Sequence, residues 1–124
     1  MTPTPAKRES TVTSRKLLFE EAAEIVREEY ASELVLEEIA RRAASSRRQV
    51  QRAFSEAGGT TFRAYLLQVR MRRAAELLRN GDVPIKRIAA AVGYRQPAQF
   101  AKAFRRHNGI TPAAFRRDGD PSAP

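Results

Sequence analysis

The sequence contains one helical pattern twice, about fifty residues apart, and this repeat constrains the fold more than any other feature. Ile39-Ala40 recurs as Ile88-Ala89 at an offset of 49, and one extra residue in the second copy then lengthens the offset to 50. A duplication of this length predicts two copies of one small helical unit. The later matches are Val50 with Phe100, Phe54 with Phe104, Gly59 with Gly109, Thr61 with Thr111, and Tyr65 with Phe115.

Length and composition limit the classes to which the chain can belong. Its 124 residues, 42% of them hydrophobic, suffice for one domain or for two very small lobes that share an element. The chain has no cysteine, which excludes disulfide scaffolds, cysteine-based zinc sites and thiol catalysis. The single histidine, His107, has no cysteines or clustered carboxylates with which to form a metal site. We therefore expect no cofactor, and no catalytic constellation that would indicate an enzyme.

The sequence also bears on localisation. No apolar run approaches the ~18 residues that a membrane span needs, and the first residues lack the apolar stretch of a signal peptide. We expect a cytoplasmic, nucleoid-associated protein.

Charge is distributed unevenly along the chain. Residues 15–40 hold 3 Lys/Arg against 8 acids, whereas residues 41–118 hold 18 Lys/Arg against 4 acids. A basic segment of this size attracts a polyanion. Arginine supplies 19 of the 23 basic residues, and its planar guanidinium suits phosphates and guanine edges better than lysine does. A membrane surface is disfavoured because the basic segments do not form one amphipathic face of a long helix.

Apolar periodicity predicts an all-α fold of about seven helices, with two helix-turn-helix lobes joined by a long linker helix. We expect a flexible tail at 1–13, a first lobe at 14–60, the linker helix at 61–80, a second lobe at 81–117 and a flexible tail at 118–124. The predicted helices cover 14–30, 36–43, 46–57, 61–79, 84–92, 96–107 and 111–117.

Each repeat has the features of a helix-turn-helix. The first helix needs a small residue where the second crosses it, and Ala40 and Ala89 occupy that position. Four residues later the turn favours a left-handed backbone, which Gly93 adopts without strain. Ala44 stands at the equivalent position in the first copy, where left-handed geometry would cost ~1–2 kcal/mol.

The second helix of each repeat has an apolar inner face and a polar outer face. Val50, Phe54, Phe100 and Phe104 are predicted core residues. Arginine can bind guanine O6 and N7 in the major groove, and glutamine can bind adenine N6 and N7. The predicted base-reading residues are Arg47, Arg48, Gln51 and Arg52 in the first copy, and Arg95, Gln96, Gln99 and Lys102 in the second.

A further set of polar residues is predicted to contact DNA phosphates. These contacts would fix the register of the protein on the duplex without reading sequence. For the arginines of the linker helix, a solvated surface is the alternative interpretation. The predicted phosphate-contacting residues are Ser46, Arg63, Arg72, Arg73, Arg105 and Arg106.

The order of these motifs resembles the DNA-binding domain of the AraC/XylS family of bacterial transcription regulators. The resemblance covers roughly residues 15–117, and its second half is the more specific. It implies seven helices, two helix-turn-helix lobes and a connecting helix over 61–79. The chain is similar to the stand-alone members of the family, because it has no room for a separate ligand-sensing domain. The motifs are Leu36-x-x-Ile-Ala, Ser46-x-x-x-Val-x-Arg-x-Phe54, Gly59-x-Thr-Phe-x-x-Tyr-Leu66, Arg70-x-x-x-Ala-x-x-Leu-Leu78, Ile85-x-x-Ile-Ala-x-x-Val-Gly-Tyr94, Phe100-x-x-x-Phe-Arg105 and Gly109-Ile-Thr-Pro-x-x-Phe-Arg116.

The second predicted reading helix departs from the family pattern. Arg95-Gln96-Pro97-Ala98 stands where Ser, Thr or Gln residues are usual. Pro97 has no N–H to donate to a phosphate, and the side chains of Ala98 and Ala101 cannot donate at all. The first lobe is therefore the better candidate for direct base reading, while the second retains phosphate and shape contacts.

These features together predict a sequence-specific, DNA-binding transcription regulator. Activation is favoured over repression, with control by abundance rather than by a ligand. The expected partners are double-stranded DNA, bound by a monomer over about two turns, and RNA polymerase through the acidic first helix. Two alternatives stay open: a DNA-bending architectural or recombinase-accessory protein, and a helical adaptor whose basic face docks an acidic protein.

Overall fold

The computed structural model describes the backbone of residues 5–119 and the side chains of residues 11–119. Over this range the fold is all-helical, as predicted, with seven helices and no strand. Apart from the start of the first helix, every boundary lies within one residue of its predicted position. The helices are α1 (Pro5–Glu29), α2 (Leu36–Arg42), α3 (Arg47–Glu56), α4 (Phe62–Arg79), α5 (Ile85–Ala91), α6 (Pro97–Asn108) and α7 (Pro112–Asp118).

Helix α1 begins at Pro5, whereas the sequence predicted a flexible tail up to residue 13 and a helix that starts at residue 14. The prediction was wrong for residues 5–13. A proline is tolerated in the first turn of a helix because its missing N–H would have no partner there. The residues that follow it, Ala-Lys-Arg-Glu, have high helix propensity and need no apolar periodicity to continue a helix. At the other end, the tail predicted from residue 118 starts later, because Asp118 is the last residue of α7. The rest of the predicted tails, 1–4 and 120–124, lies outside the described residues.

The chain divides into two compact units. Unit 1 contains Leu34–Leu66 together with α1, and unit 2 contains Tyr30–Glu33 together with the chain from Leu67 onward. Helix α4 contributes residues 62–66 to unit 1 and residues 67–79 to unit 2. Residues 30–33, in the segment between α1 and α2, therefore belong to unit 2, although both helices that the segment joins belong to unit 1.

Unit 1 is built from α1, α2 and α3 around an aromatic cluster. Phe54 is fully buried, and its ring lies 5.3 Å from that of Phe19 and 5.9 Å from that of Tyr65. The Phe19 and Phe54 rings meet edge to face, which adds directional attraction to the burial of apolar area. The buried apolar residues of unit 1 are Ala22, Ala23, Ile25, Val26, Leu36, Ile39, Ala40, Val50, Ala53 and Phe54.

Unit 2 has a separate core, formed by α4, α5, α6 and α7. Phe104 lies at its centre, 5.8 Å from the ring of Phe100 and 5.3 Å from that of Phe115. Predicted core positions in both copies are therefore buried. The buried members of the cluster are Met71, Ala74, Ala75, Leu78, Ile88, Ala89, Val92, Phe100, Phe104 and Phe115.

Equivalent residues of the repeat make equivalent contacts within their own units. Phe54 packs on Tyr65 as Phe104 packs on Phe115. Thr61 accepts a hydrogen bond from the N–H of Ala64 at 3.1 Å, and Thr111 accepts one from the N–H of Ala114 at the same distance. The sequence duplication is thus a duplication of packing and of helix capping.

The turn between the two helices of each motif has left-handed geometry, as predicted. Ala44 has φ 51° and Gly93 has φ 97°. In both turns the next residue bonds back to the small crossing residue: Ser45 N–H donates to the carbonyl of Ala40 at 2.8 Å, and Tyr94 N–H to that of Ala89 at 2.9 Å. The crossing residues are buried, so both predicted helix-turn-helix motifs form.

None of the helices in the described part of the chain combines the length and apolar character that crossing a membrane would require.

Candidate nucleic-acid interface

Helix α3 exposes the face that the sequence predicted for base reading. Val50, Ala53 and Phe54 turn inward and are fully buried. The four predicted reading residues on the opposite side are all exposed: Arg47, Arg48, Gln51 and Arg52.

The N-terminus of α3 is capped by Ser46. Its hydroxyl oxygen accepts a hydrogen bond from the N–H of Gln49 at 3.1 Å, which satisfies one of the free N–H groups of the first turn. Because a serine hydroxyl is also a donor, Ser46 can cap the helix and still donate to a phosphate oxygen. Ser46 is exposed, as that second role requires.

The three arginines of α3 differ in their partners. Arg47 donates from Nη1 to Oε1 of Glu37 on α2 at 2.9 Å. Arg52 Nε lies 3.6 Å from Oε1 of Glu56, one turn further along α3. Among the described residues, Arg48 has no hydrogen bond or ion pair. Exposed ion pairs are worth only about 0–1 kcal/mol, so DNA can compete for both paired guanidinium groups.

Helix α6 exposes a less basic face. Gln96 occupies the N-cap without a side-chain hydrogen bond to the helix, and Pro97 occupies the first helical position. Gln99 and Lys102 are exposed and have no partner among the described residues. Arg95 pairs with Glu33, which lies in the segment between α1 and α2. All four predicted reading residues of the second copy are therefore exposed, with one guanidinium and one ammonium group among them.

The predicted phosphate-contacting arginines are exposed as well. Arg73 donates a hydrogen bond to Glu76 at 3.0 Å within α4, so one of its donors is used inside its own helix. Within residues 11–119 the remaining four form no ion pair: Arg63, Arg72, Arg105 and Arg106.

Much of the acidic charge of unit 1 is matched locally. A hydrogen bond from Arg41 lowers the pKa of Glu38, and one from Arg42 lowers the pKa of Glu29. On α1, a hydrogen bond from Arg27 lowers the pKa of Glu24. These carboxylates stay ionised near neutral pH, so each cancels part of the positive field of the arginine that it binds.

Arg70 has a structural role that sequence reasoning did not assign. Its Nε donates to the carbonyl of Tyr30 at 2.7 Å and its Nη2 to that of Ser32 at 3.0 Å. The guanidinium also lies 5.6 Å from the centre of the Tyr94 ring, within reach of a cation–π contact. Burial raises the pKa of the Tyr94 hydroxyl, which stays neutral. Arg70 therefore attaches the segment that carries Glu33 to the turn that precedes α6.

Sequence reasoning also missed the carboxylates beside two of the arginines that were predicted to read bases. Glu37 and Glu33 lie 10 and 62 residues from the arginines that they bind. Neither separation has a helical period, so no sequence pattern could have identified these pairs. The described residues include no group of His, Cys, Asp and Glu that could hold a metal ion.

Comparison with known proteins gives consistent matches. Residues 39–118 match a family profile described as a helix-turn-helix domain. The chain is 31% identical over 110 residues to the Msm operon regulatory protein of Streptococcus mutans. That match covers 89% of this chain and 40% of the relative, so the chain spans less than half of the relative's length.

Two solved structures are similar over most of the chain. An AraC-type DNA-binding-domain regulator from Chromobacterium violaceum is 28% identical with a TM-score of 0.79, and the match covers 90% of this chain and 99% of that one. The DNA-binding domain of the global transcriptional factor AdpA, solved in complex with a target DNA, is 31% identical with a TM-score of 0.72. That match covers 81% of this chain and 89% of the other.

Proposed function

Because this chain belongs to the AraC/XylS family of helix-turn-helix transcription regulators, we propose that it recognises specific DNA sequences with two reading helices, α3 and α6, and activates transcription. One observation carries the proposal: the two units repeat the same packing, and each exposes a second helix whose outer face holds guanidinium or ammonium and amide groups. These groups match the acceptors and donors of base edges in the major groove.

The two helices contribute unequally. Helix α3 carries Arg47, Arg48, Gln51 and Arg52 and supplies most of the sequence discrimination. Helix α6, with Arg95, Gln96, Gln99 and Lys102, supplies fewer base contacts and relies more on charge. Phosphate contacts from Ser46, Arg63, Arg72, Arg73, Arg105 and Arg106 hold both helices in register.

A monomer suffices for binding because one chain carries both reading helices. Helix-turn-helix proteins with one reading helix per chain dimerise to place two helices on the duplex. Native mass spectrometry on the shortest duplex that retains full affinity tests this point. One chain per duplex is expected, and two chains per duplex would overturn the proposal that a monomer binds.

The acidic side of α1 is the proposed contact with RNA polymerase. Glu20, Glu21, Glu24 and Glu28 are exposed on this helix, and their charge repels DNA, which leaves them available to a protein. Transcription with purified RNA polymerase from a promoter carrying the binding site should rise when the protein is added. Glu20→Lys combined with Glu21→Lys should abolish that rise without weakening DNA binding, and unchanged activation would exclude this surface.

Selection of duplexes from a random-sequence library by the purified protein tests the central proposal. We expect a consensus, and binding to the selected duplex ~10³-fold tighter or more than to a shuffled duplex of the same composition. Equal binding to both duplexes would instead indicate an architectural protein that reads shape and charge. Failure to bind either at moderate salt would indicate an adaptor for an acidic protein.

A further inference from the structure

We propose that Glu37 is a positioning residue for base recognition: it holds Arg47 by one nitrogen and leaves the other edge of the guanidinium free for a base. The inference rests on the proposed reading role of α3. Glu37 is the second residue of α2 and Arg47 is the first residue of α3. The contact joins Nη1 of Arg47 to Oε1 of Glu37 at 2.9 Å.

The chemistry of the guanidinium group makes this arrangement useful. Arginine has five N–H donors in a rigid plane, and the contact with Glu37 uses one of its two terminal nitrogens. The edge formed by Nε and Nη2 keeps two parallel donors, which is the geometry that guanine O6 and N7 accept. A carboxylate behind the group restricts the directions in which this edge can point, and so lowers the entropy cost of placing it on a base.

The negative charge of Glu37 also opposes non-specific binding. An unpaired arginine can turn to a phosphate in any direction, whereas Arg47, while it is held by Glu37, can reach only an acceptor that lies in front of its free edge. Arg47 and Glu37 side chains are 62% and 61% exposed, so the pair contributes little to folding and acts on where the guanidinium points. Glu37 therefore favours duplexes that offer a base acceptor over duplexes that offer phosphate alone.

Arg47 differs in this respect from the other arginines of α3. Arg48 has no partner among the described residues. Arg52 faces Glu56 on its own helix through Nε, at 3.6 Å, and Glu56 also pairs with Arg15. A carboxylate that occupies Nε blocks the edge that Arg47 leaves free. Arg47 thus combines a partner on another helix with an open bidentate edge.

Glu37→Gln tests the proposal, with Glu38→Gln as its matched control. Both glutamates lie in the first turn of α2, so each substitution removes the same charge and the same interaction with the helix dipole. Glu38 pairs with Arg41 on α2 itself and not with α3. The measurement is the dissociation constant on the library-selected duplex and on a shuffled duplex, over a series of salt concentrations.

We expect Glu37→Gln to lower the ratio of selected to shuffled affinity about fivefold or more relative to Glu38→Gln, which is the low end of what one bidentate arginine contact contributes. Binding to the shuffled duplex should strengthen, with a salt slope steeper by about 0.9 because Arg47 becomes free to neutralise a phosphate. In an Arg47→Ala background, Glu37→Gln should have no effect beyond that of Glu38→Gln.

An equal ratio for Glu37→Gln and Glu38→Gln would overturn the role of Glu37, and so would an effect that persists without Arg47. Either result leaves the proposed function intact if the wild-type protein still discriminates between the two duplexes. A wild-type protein that does not discriminate would overturn the proposed function, and this inference with it.

Discussion

The two helix-turn-helix units make the same turn with different residues. In unit 1 the left-handed position is Ala44, with φ 51°, and it is exposed. In unit 2 it is Gly93, with φ 97°. A Cβ atom at Gly93 would lie 3.0 Å from the Arg70 guanidinium and 3.1 Å from the carbonyl of Tyr30. Alanine is tolerated where the turn faces solvent, whereas glycine is needed where the segment 30–33 packs on the turn.

The reading helices differ in a related way. Helix α3 is capped by a serine side chain and exposes three arginines, one held by a carboxylate from α2. Helix α6 has no side-chain cap, begins with a proline and relies on Lys102 and two glutamines, with Arg95 paired to Glu33. The shared fold therefore determines where the outer face of each second helix lies, and the side chains determine which charged and amide groups that face presents.

Gly93→Ala should have the largest effect on stability, about 2–4 kcal/mol, because it combines left-handed strain with overpacking against Arg70 and Tyr30. Thermal or urea unfolding measures the change. Gly109→Ala is the matched control: Gly109 has φ 83°, but nothing lies within 4 Å of an added Cβ. That variant should lose only the ~1–2 kcal/mol of strain. Equal losses would mean that packing against Arg70 and Tyr30 adds nothing to the need for glycine at position 93.

Arg48→Ala should weaken binding to the selected duplex by about 1–3 kcal/mol and relax base choice at one position, because Arg48 is unpaired and exposed on the reading face of α3. Lys102→Ala, which removes the cation that α6 exposes next to Phe104 and Phe100, should weaken selected and shuffled duplexes alike. Titrations with both duplexes and base-substituted sites separate the two outcomes. Similar loss of discrimination in both variants would show that the reading helices contribute equally.

Ala44→Gly should stabilise the protein by up to ~1 kcal/mol. Glycine removes the left-handed strain of ~1–2 kcal/mol and adds ~0.5–1 kcal/mol of chain entropy to the unfolded state. The free energy of unfolding from urea titration tests the sign of the change. A destabilised variant would mean that the side chain of Ala44 contributes more through packing than its geometry costs.

Arg72→Gln should have the smallest effect: a uniform weakening on every duplex and a salt slope lower by about 1. Arg72 is exposed on α4 and has no partner among the described residues. Arg41→Gln is the control, since Arg41 already pairs with Glu38. An unchanged salt slope for Arg72→Gln would mean that Arg72 faces solvent in the complex and contacts no phosphate.

Local sequence was sufficient to predict much of this molecule. Apolar periodicity located seven helices, because helix boundaries depend on contacts within a few residues. It failed at residues 5–13, which are helical although they show no apolar period. The exposure of the candidate base-reading residues within α3 and α6 also followed from the repeat, since the inner face of each helix is marked by two apolar residues, Val50 and Phe54 or Phe100 and Phe104.

The sequence by itself therefore determined the duplication, the helices, the two cores and the two outward faces, all of which depend on spacing along the chain. Tertiary structure alone decided which partners the arginines have. Arg47 pairs with Glu37, Arg95 pairs with Glu33, and Arg70 donates hydrogen bonds to the carbonyls of Tyr30 and Ser32. It also decided that Gly93, unlike Ala44, has no room for a side chain. Such contacts join residues that are distant in the sequence. An exposed ion pair also stabilises the fold too little to require a recognisable sequence pattern.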